Sequence, residues 1–457
     1  MYMDETIAAI CTPLGEGGLA VIRISGREAL GVADRCFRPG AAAGILPSLA
    51  PSHTVHYGHV MRDGHVVDEV LLTVMHAPRT FTREDVVEIG CHGGVLASRN
   101  VLGAVLGCGA RLAQAGEFTR RAFLNGRLDL TQAEAVAEVI HARTDLELAA
   151  AQEQLAGKLS AKIGLLRDDL LGVLAHVEAH IDFPDEDITP DTREGLMERL
   201  ETGLGTIETL QRAGTEGQVL RRGIRAAILG KPNVGKSSLL NQLLGADRAI
   251  VSPMAGTTRD TIQETASIRG LPVVVIDTAG LREAGDAVEA EGVRRSHAAI
   301  AQADLLLIVI DGSKPLEDAD EALLRLHGDR KRIVVVNKSD LGTVAVLPEM
   351  AGVPKVEVSS LKGDGIEALR DAIAETVRGG GIQGEMWEAM INARHMDALR
   401  RAHEGGTRAL DSLRADRTLE LVALDLRMAV QAVGEIVGKT ATEDMLDALF
   451  GQFCIGK

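Results

Sequence analysis

The sequence predicts a multidomain fold: an N-terminal α+β domain, a discontinuous all-α domain, and an α/β domain inserted between the two helical halves. Three observations predict it. At 457 residues the chain is too long for one hydrophobic core, and about three domains is the natural division. Ile163, Leu166, Leu170, Leu174, Val177 and Ile181 recur at three- and four-residue steps, one face of a long helix. Between 223 and 378 the texture changes, with short β-rich runs alternating with helical stretches, the form of a parallel sheet with crossover helices.

Residues 1–120 mix short apolar runs with Gly and Pro punctuation. Ala20-Val21-Ile22-Arg23-Ile24 and Val70-Leu71-Leu72-Thr73-Val74 read as strands, and residues 95–106 as a helix. Residues 121–216 form the first helical half. Phe183-Pro184-Asp185 stops its long helix, and a second helical stretch follows at 192–212. The inserted domain occupies 217–378, with strand-like runs at 225–229, 273–277, 305–311, 333–337 and 356–359. After the loop Gly379-Gly380-Gly381, residues 379–457 return to helical periodicity as the second half.

Composition narrows the class. An apolar fraction of 46% and a charged fraction of 25% suit a soluble globular protein. No apolar run approaches the ~20 residues that span a bilayer, and Met1-Tyr2-Met3-Asp4-Glu5 does not open like a signal peptide, so a cytoplasmic location is expected. Cys11, Cys36, Cys91, Cys108 and Cys454 are odd in number and contain no C-x-x-C pair, which disfavours a disulfide framework or zinc knuckle. A net charge of −16 disfavours non-specific coating of nucleic acid, and 2% aromatics leave few stacking platforms. No Lys precedes Lys158, which makes each placed lysine more informative.

Gly230-Lys231-Pro232-Asn233-Val234-Gly235-Lys236-Ser237 matches G-x-x-x-x-G-K-[ST], follows an apolar strand and opens a helix at Ser238-Leu239-Leu240. Backbone N–H groups of such a loop close around phosphate oxygens at a helix N-terminus. Lys236 supplies a point charge to the β- and γ-phosphates, and the Ser237 hydroxyl suits Mg²⁺. Asp277-Thr278-Ala279-Gly280 ends a later strand, placing Asp277 near the magnesium-bound water and Gly280 at the γ-phosphate. Asn337-Lys338-Ser339-Asp340 is an N-K-x-D box whose carboxylate accepts from guanine N1 and N2, groups that adenine does not offer. Ser359-Ser360-Leu361 resembles the last guanine-contacting loop. Gly256-Thr257-Thr258-Arg259-Asp260 lies where the first switch belongs, with Thr258 as second magnesium ligand. The ordered boxes make the insert an α/β P-loop GTPase (Ras-like) domain that binds GTP and GDP.

Ras-like proteins place a water-orienting Gln directly after D-x-x-G, but here the position is Leu281, which orients nothing. Glu289 is a candidate in the same switch region. Asn233 is a candidate for binding a monovalent cation where an arginine finger would otherwise reach. A slow GTPase awaiting a partner's arginine is the alternative.

Several further phrases resemble the MnmE (TrmE) family of tRNA-modification GTPases: Val21-Ile22-Arg23-Ile24-Ser25-Gly26, Phe81-Thr82-Arg83-Glu84-Asp85-Val86-Val87-Glu88, Cys91-His92-Gly93-Gly94, residues 116–125 (GEFTRRAFLN), Ile181-Asp182-Phe183-Pro184 and the closing Phe453-Cys454-Ile455-Gly456-Lys457. The resemblance implies an N-terminal domain that binds 5-formyl- or another one-carbon tetrahydrofolate through Arg23, Glu88, Arg127 and Lys457 and forms a homodimer. Arg127 stands where the family usually has Lys. It implies K⁺ coordination by Asn233, Ser252, Met254 and Thr257, with Glu289 positioning water and G-domain pairing triggering hydrolysis. It also implies an MnmG-type flavoprotein partner and modification of carbon 5 of the wobble uridine of certain tRNAs. Cys454 matches the family's terminal cysteine, with a role in modification set against a packing role.

A ribosome-assembly GTPase of the Era or EngA kind shares the boxes, but this chain shows neither a KH-type G-x-x-G loop in helical context nor a second P-loop. A regulatory switch with a protein partner is the third alternative. Cys91 and His92 read as a turn, His53, His56 and His59 as strand and loop residues, Trp387 as packing, and Asp185-Glu186-Asp187 as a solvated loop.

Overall fold

The computed structural model describes residues 5–40, 44–182, 190–245, 264–276, 303–325, 330–378 and 390–457. The expected helix stop at Phe183-Pro184-Asp185, the Asp185-Glu186-Asp187 run, the Gly379-Gly380-Gly381 loop and Trp387 lie outside them. Two compact units divide the chain. One comprises Met1–Ala137, Leu155–Leu171 and Val430–Lys457, the other Glu138–Gln154 and Gly172–Ala429.

In the first unit, β1 (Ile7–Ile10), β2 (Leu19–Ser25), β3 (Phe37–Pro39), β4 (Thr54–Arg62), β5 (His65–Met75), β6 (Val86–His92) and β7 (Arg111–Leu112) form a seven-stranded sheet. Its order is β3-β4-β5-β6-β2-β1-β7, antiparallel except for the β1–β7 pair. Side chains alternate between the two faces along each strand. Ile22, Ile24, Leu72, Val74, Val87 and Ile89 point into one core with Val32 and Ala33 of α1 (Ala29–Cys36) and Val101 and Val105 of α2 (Val95–Gly107). The other face carries a cross-strand row set by register, Ala9, Arg23, Glu88, Thr73 and Val55. Beside it Leu19, Tyr57 and Leu71 are exposed. Cys91 and His92, expected as a turn, instead close β6, because β2 extends alongside and pairs it to its end. Cys91 is buried and His92 pairs with Asp68 at 2.7 Å.

Helices α3 (Glu117–Leu124) and α4 (Leu130–His141) meet the chain's last helix, here α13 (Glu443–Phe450), in a cluster of Leu130, Ala133, Leu446, Phe450 and Phe453. Arg121 of α3 is 2% exposed, and its guanidinium bonds Glu84 at 3.1 Å, Glu117 at 3.0 Å and the Glu5 carbonyl at 2.8 Å. Arg111 grips Glu117 with both terminal nitrogens, at 2.7 and 3.0 Å. Burial alone would raise the Glu117 carboxyl, but the hydrogen bonds from Arg111, Gln114 and Arg121 outweigh it and hold it below the ordinary value.

In the helical part of the chain, α5 (Asp145–Leu155), α6 (Lys158–Asp182), α7 (Pro190–Arg222), α11 (Ala393–Arg414) and α12 (Leu419–Val437) bury regular stripes. On α6, Ile163, Leu166, Leu170, Leu174 and Val177 are all buried. Helix α7 outruns the expected end at 212 and reaches Arg222. Gly214 does not break it, because the glycine serves close packing: a Cβ there would lie 2.6 Å from Met396 Sδ and 2.9 Å from Ile391. Asn392 caps α11, accepting from His395 N at 2.9 Å while His395 Nδ1 accepts from Asn392 N.

The inserted α/β part has β8 (Ile224–Leu229), α8 (Lys236–Leu244), β9 (Glu264–Ile268), β10 (Leu271–Ile276), β11 (Leu305–Asp311), α9 (Asp318–Arg325), β12 (Arg332–Asn337), β13 (Lys355–Glu357) and α10 (Ile366–Arg378). Its six-stranded sheet runs β13-β12-β11-β8-β10-β9, parallel except for β9. The central strands β11 and β12 are apolar on both faces because helices cover both. The β9–β10 hairpin was not read from the sequence. Arg269 and Gly270 supply its two-residue turn, both with positive φ (51° and 80°).

Arg121→Met should leave Glu84 without its guanidinium and Glu117 with that of Arg111 alone, a loss of about 3 kcal/mol. Urea unfolding followed on the first unit would report it, and an unmoved midpoint would contradict the network's role. Because the folded Glu117 pKa lies below its ordinary 4.5, its contribution is complete above that pH and fades as pH falls towards the folded value. The Arg121→Met deficit should therefore shrink in acid.

Candidate functional site

Parallel strands deliver their C-terminal ends to one edge of the sheet, and the loops that follow β8 and β12 gather there. The β8 strand passes into the loop Gly230–Gly235 and then into α8. Gly235, the N-cap, has φ +96°, and a Cβ on it would run into the Asn337 side chain, so only glycine lets the two loops meet. No side chain caps α8, so the first-turn N–H groups face outward, with Ser237 and Ser238 exposed beside them. That is the geometry of an anion cradle. Asn233 holds φ +62°, an uncommon conformation for a non-glycine residue. Lys236 Nζ donates to the carbonyls of Gly230 (2.9 Å) and Lys231 (2.7 Å), and burial depresses its pKa.

Asn337, 2% exposed, ties the loops together. Its Nδ2 donates to Val234 O at 2.7 Å and its Oδ1 accepts from Ser360 N at 3.0 Å. Ser359 Oγ donates to Asp340 Oδ1 at 2.8 Å, orienting that carboxylate. Leu361 is 83% exposed, and Gln242 of α8 donates to Ser360 O at 3.2 Å. Ser360 Oγ is buried without a partner among the described residues. Lys338 has φ +65°, and its Nζ donates to Asp311 Oδ2 at 2.7 Å. Burial would raise the Asp311 carboxyl, but Lys338 and Ser313 hold it below the ordinary value.

Asp311 was missed in the sequence, although it ends an apolar strand as Asp277 does. Also missed was the ion pair of Lys231 with Asp320 (2.6 Å) and Glu317 (2.9 Å), which anchors the loop's first turn. Ser252, Met254, Gly256, Thr257, Thr258, Asp277, Thr278, Ala279, Gly280, Leu281 and Glu289 lie outside the described residues.

A second constellation sits on the open sheet face of the first unit. Arg23 and Glu88 are cross-strand partners, joined at 2.8 and 2.7 Å by Nε and Nη2 to one carboxylate oxygen. The Arg23 guanidinium stands 5.4 Å from the Phe81 ring and 5.6 Å from Phe118. Arg127 lies over the same Phe81 ring at 4.9 Å and donates to Phe81 O at 2.9 Å. Burial, Arg83 and Arg23 together depress the Arg127 pKa. The chain terminus joins them. Ile455 bridges Ala115, Lys457 O accepts from Phe118 N at 3.0 Å, and Cys454 O accepts from Gly116 N at 3.3 Å. Burial raises the Cys11 thiol pKa, with Arg23 and Lys457 opposing and Glu88 assisting. The Cys454 side chain is exposed. Among the described residues no three His, Cys, Asp or Glu side chains form a metal cluster, and no helix is long and apolar enough to cross a membrane.

The family model for the GTP-binding protein TrmE N-terminus matches residues 6–127, and that for the MnmE helical domain matches 130–454. The tRNA modification GTPase MnmE of Geobacter sulfurreducens is 48% identical over 461 residues, covering 100% of both chains. That of Chloroflexus aurantiacus is 49% identical over 460 residues, again covering 100% of both. Among solved structures, the G domain of the T. maritima FeoB iron transporter is 26% identical, covering 34% of this chain and 98% of that one, with a TM-score of 0.26. With nearly half of all residues identical to these relatives over the full length, and the two family models together matching most of the chain, it belongs to the MnmE (TrmE) family of tRNA modification GTPases and is a GTP hydrolase.

Proposed function

We propose that this GTPase, acting in the cytoplasm with an MnmG-type flavoprotein, modifies carbon 5 of the wobble uridine of certain tRNAs, using a one-carbon tetrahydrofolate held in the first unit. The observation that carries this is the Arg23–Glu88 pair, flanked by Phe81, Phe118 and Lys457. A bidentate-capable acid and a cation beside aromatic rings suit a flat heterocycle with both donors and acceptors, as a pterin has. The exposed Leu19, Val55, Tyr57 and Leu71 on that sheet face favour a homodimer. The proposed boundaries are 1–120 for the folate-binding domain, 121–216 with 379–457 for the helical domain, and 217–378 for the G domain, with α7 feeding directly into the last.

In the G domain, Lys236 is assigned to the β- and γ-phosphates and the uncapped α8 N-terminus to their oxygens. The exposed Ser237 hydroxyl fits a magnesium ligand, with Thr258 as the second and Asp277 behind a bound water. Mg²⁺ supplies charge neutralisation at the phosphates. Asn233, turned outward by its positive φ, fits a K⁺ ligand with Ser252, Met254 and Thr257, while Glu289 positions water. Hydrolysis with paired G domains would drive the conformational change.

Glu88→Gln keeps the side-chain shape and loses the charge that Arg23 holds. It should weaken 5-formyltetrahydrofolate binding by about tenfold to a hundredfold in calorimetry, the loss of one charge-assisted hydrogen bond. Undiminished binding would remove the folate assignment. GTP turnover in K⁺ should exceed that in Na⁺ by on the order of a hundredfold, if the cation stands in for a missing arginine; equal rates would refute Asn233 as a cation ligand. Asp340→Asn should weaken GTP by about 1.5–3 kcal/mol while shifting preference towards xanthosine triphosphate, which accepts where guanine donates. An unaltered base preference in competition binding would show that Asp340 does not read the base.

A further inference from the structure

Segments 81–83 and 125–127 cross in the first unit and exchange arginines. Arg83 Nη1 donates to Asn125 O at 3.0 Å, Arg127 Nη1 donates to Phe81 O at 2.9 Å, and Asn125 Nδ2 adds a bond to Thr82 O at 2.6 Å. Two guanidinium groups are thereby fixed on one exposed rim. Electrostatic repulsion between them contributes to the depressed Arg127 pKa, after burial.

The nearby acids are already committed. Glu84 bonds Arg121 and Ser25, Glu88 bonds Arg23, Asp85 accepts from Ala77 N, and Asp129 caps α4 through Thr131 and Gln132. Arg83 and Arg127 have no carboxylate partner among the described residues. In a chain of net charge −16, where acids outnumber bases, two adjacent uncompensated guanidiniums are a costly arrangement without an anionic ligand. Arg83 also holds φ +59°, a left-handed conformation that arginine adopts only at a cost in strain, and its guanidinium is anchored through that backbone.

We propose that Arg83 and Arg127 form the seat for the glutamyl tail of the folate, so that the substrate class is a polyglutamylated one-carbon tetrahydrofolate. This rests on the folate reading of the Arg23–Glu88 site. The placement carries it: Phe81 is shared, with Arg23 on its ring at 5.4 Å and Arg127 at 4.9 Å, so the rim continues directly from the pterin-recognising pair. A folate extends from its heterocycle through an aromatic ring to glutamate carboxylates, and each added γ-linked glutamate adds one carboxylate along the same line. Planar guanidinium forks match carboxylates bidentately.

The test compares the monoglutamate and pentaglutamate of 5-formyltetrahydrofolate by calorimetry on the full chain. The pentaglutamate should bind tighter by about tenfold or more at low salt, with the ratio shrinking as ionic strength rises. Arg83→Gly suits φ +59° better than arginine and so should fold; in it the ratio should collapse towards one. Arg83→Lys, which keeps charge without the fork, should recover part of the ratio. Equal affinities in the native protein, or a ratio that survives Arg83→Gly, overturn the proposal while leaving the folate site standing. If neither form binds, the folate reading fails and takes the proposal with it. Weakened tRNA binding in Arg83→Gly with the tail ratio intact would assign the arginines to phosphates instead, and also overturns it.

Discussion

The amide of Phe118 donates to the carbonyl of Lys457, the last residue, and the first unit is organised around that bond. It fastens the chain end to α3, alongside the Ile455–Ala115 bridge and the Gly116 bond to Cys454 O. Phe453 then fills the gap between Phe450 and Leu130, with the two rings 5.5 Å apart. The held tail keeps Lys457 beside Phe118, whose ring faces Arg23. A terminus is ordinarily the first part of a domain to fray. Here it is made part of a site by main-chain hydrogen bonds that depend on no particular side chain, while Phe453 supplies the apolar anchor. The conformity of the last five residues to a family phrase thus has a physical cause.

The nucleotide site rests on a different device. Asn337 spans two loops with one side-chain amide, using its donor on Val234 O and its acceptor on Ser360 N. Buried and satisfied at both ends, it fixes the distance between the Gly230–Gly235 loop and the Ser359–Leu361 loop. Asp311 and Ser359 extend the same logic to Lys338 and Asp340. The uncapped start of α8 lies at the end of the same loop, with its first-turn N–H groups open to an anion.

Much of this was legible in the sequence, and the divisions fall on physical lines. The long parallel strands were readable because burial on both faces leaves them almost wholly apolar, as in Leu305–Asp311. The P-loop and the N-K-x-D box were readable because phosphate and guanine constrain residue type at fixed spacing. The β9–β10 hairpin was not, since Arg-Gly is a weak turn signal and β9 carries Glu264 and Thr265. The helix end at 212 was misjudged because Gly214 looks like a stop and acts as a packing contact. The Cys91–His92 turn was misjudged because Gly93-Gly94 follows it, and the strand runs up to that punctuation. The Asp311–Lys338 and Asp320–Lys231 pairs span 27 and 89 positions of sequence, the Arg83 and Arg127 exchange spans 42 and 46, and no local pattern announces them.

Backbone strain falls at the sites as well as elsewhere. Arg83, Asn233 and Lys338 are non-glycine residues with positive φ (59°, 62° and 65°), each costing of order 1–3 kcal/mol against a glycine in its place. Asp63 and Arg269 sit in hairpin turns where a following glycine shares the bend, so local geometry accounts for those two, while His53 and Asp416 hold positive φ away from both sites. For the three at the sites, the side chain supplies the reason. Lys338 must present its ammonium to Asp311, and Arg83 its guanidinium to Asn125 O. Asn233 is exposed at the lip of the cradle, where glycine would relieve the strain but bring no side-chain amide. A fold that keeps arginine, asparagine and lysine where glycine is easier is spending stability on placing particular polar atoms, and those atoms border the two sites.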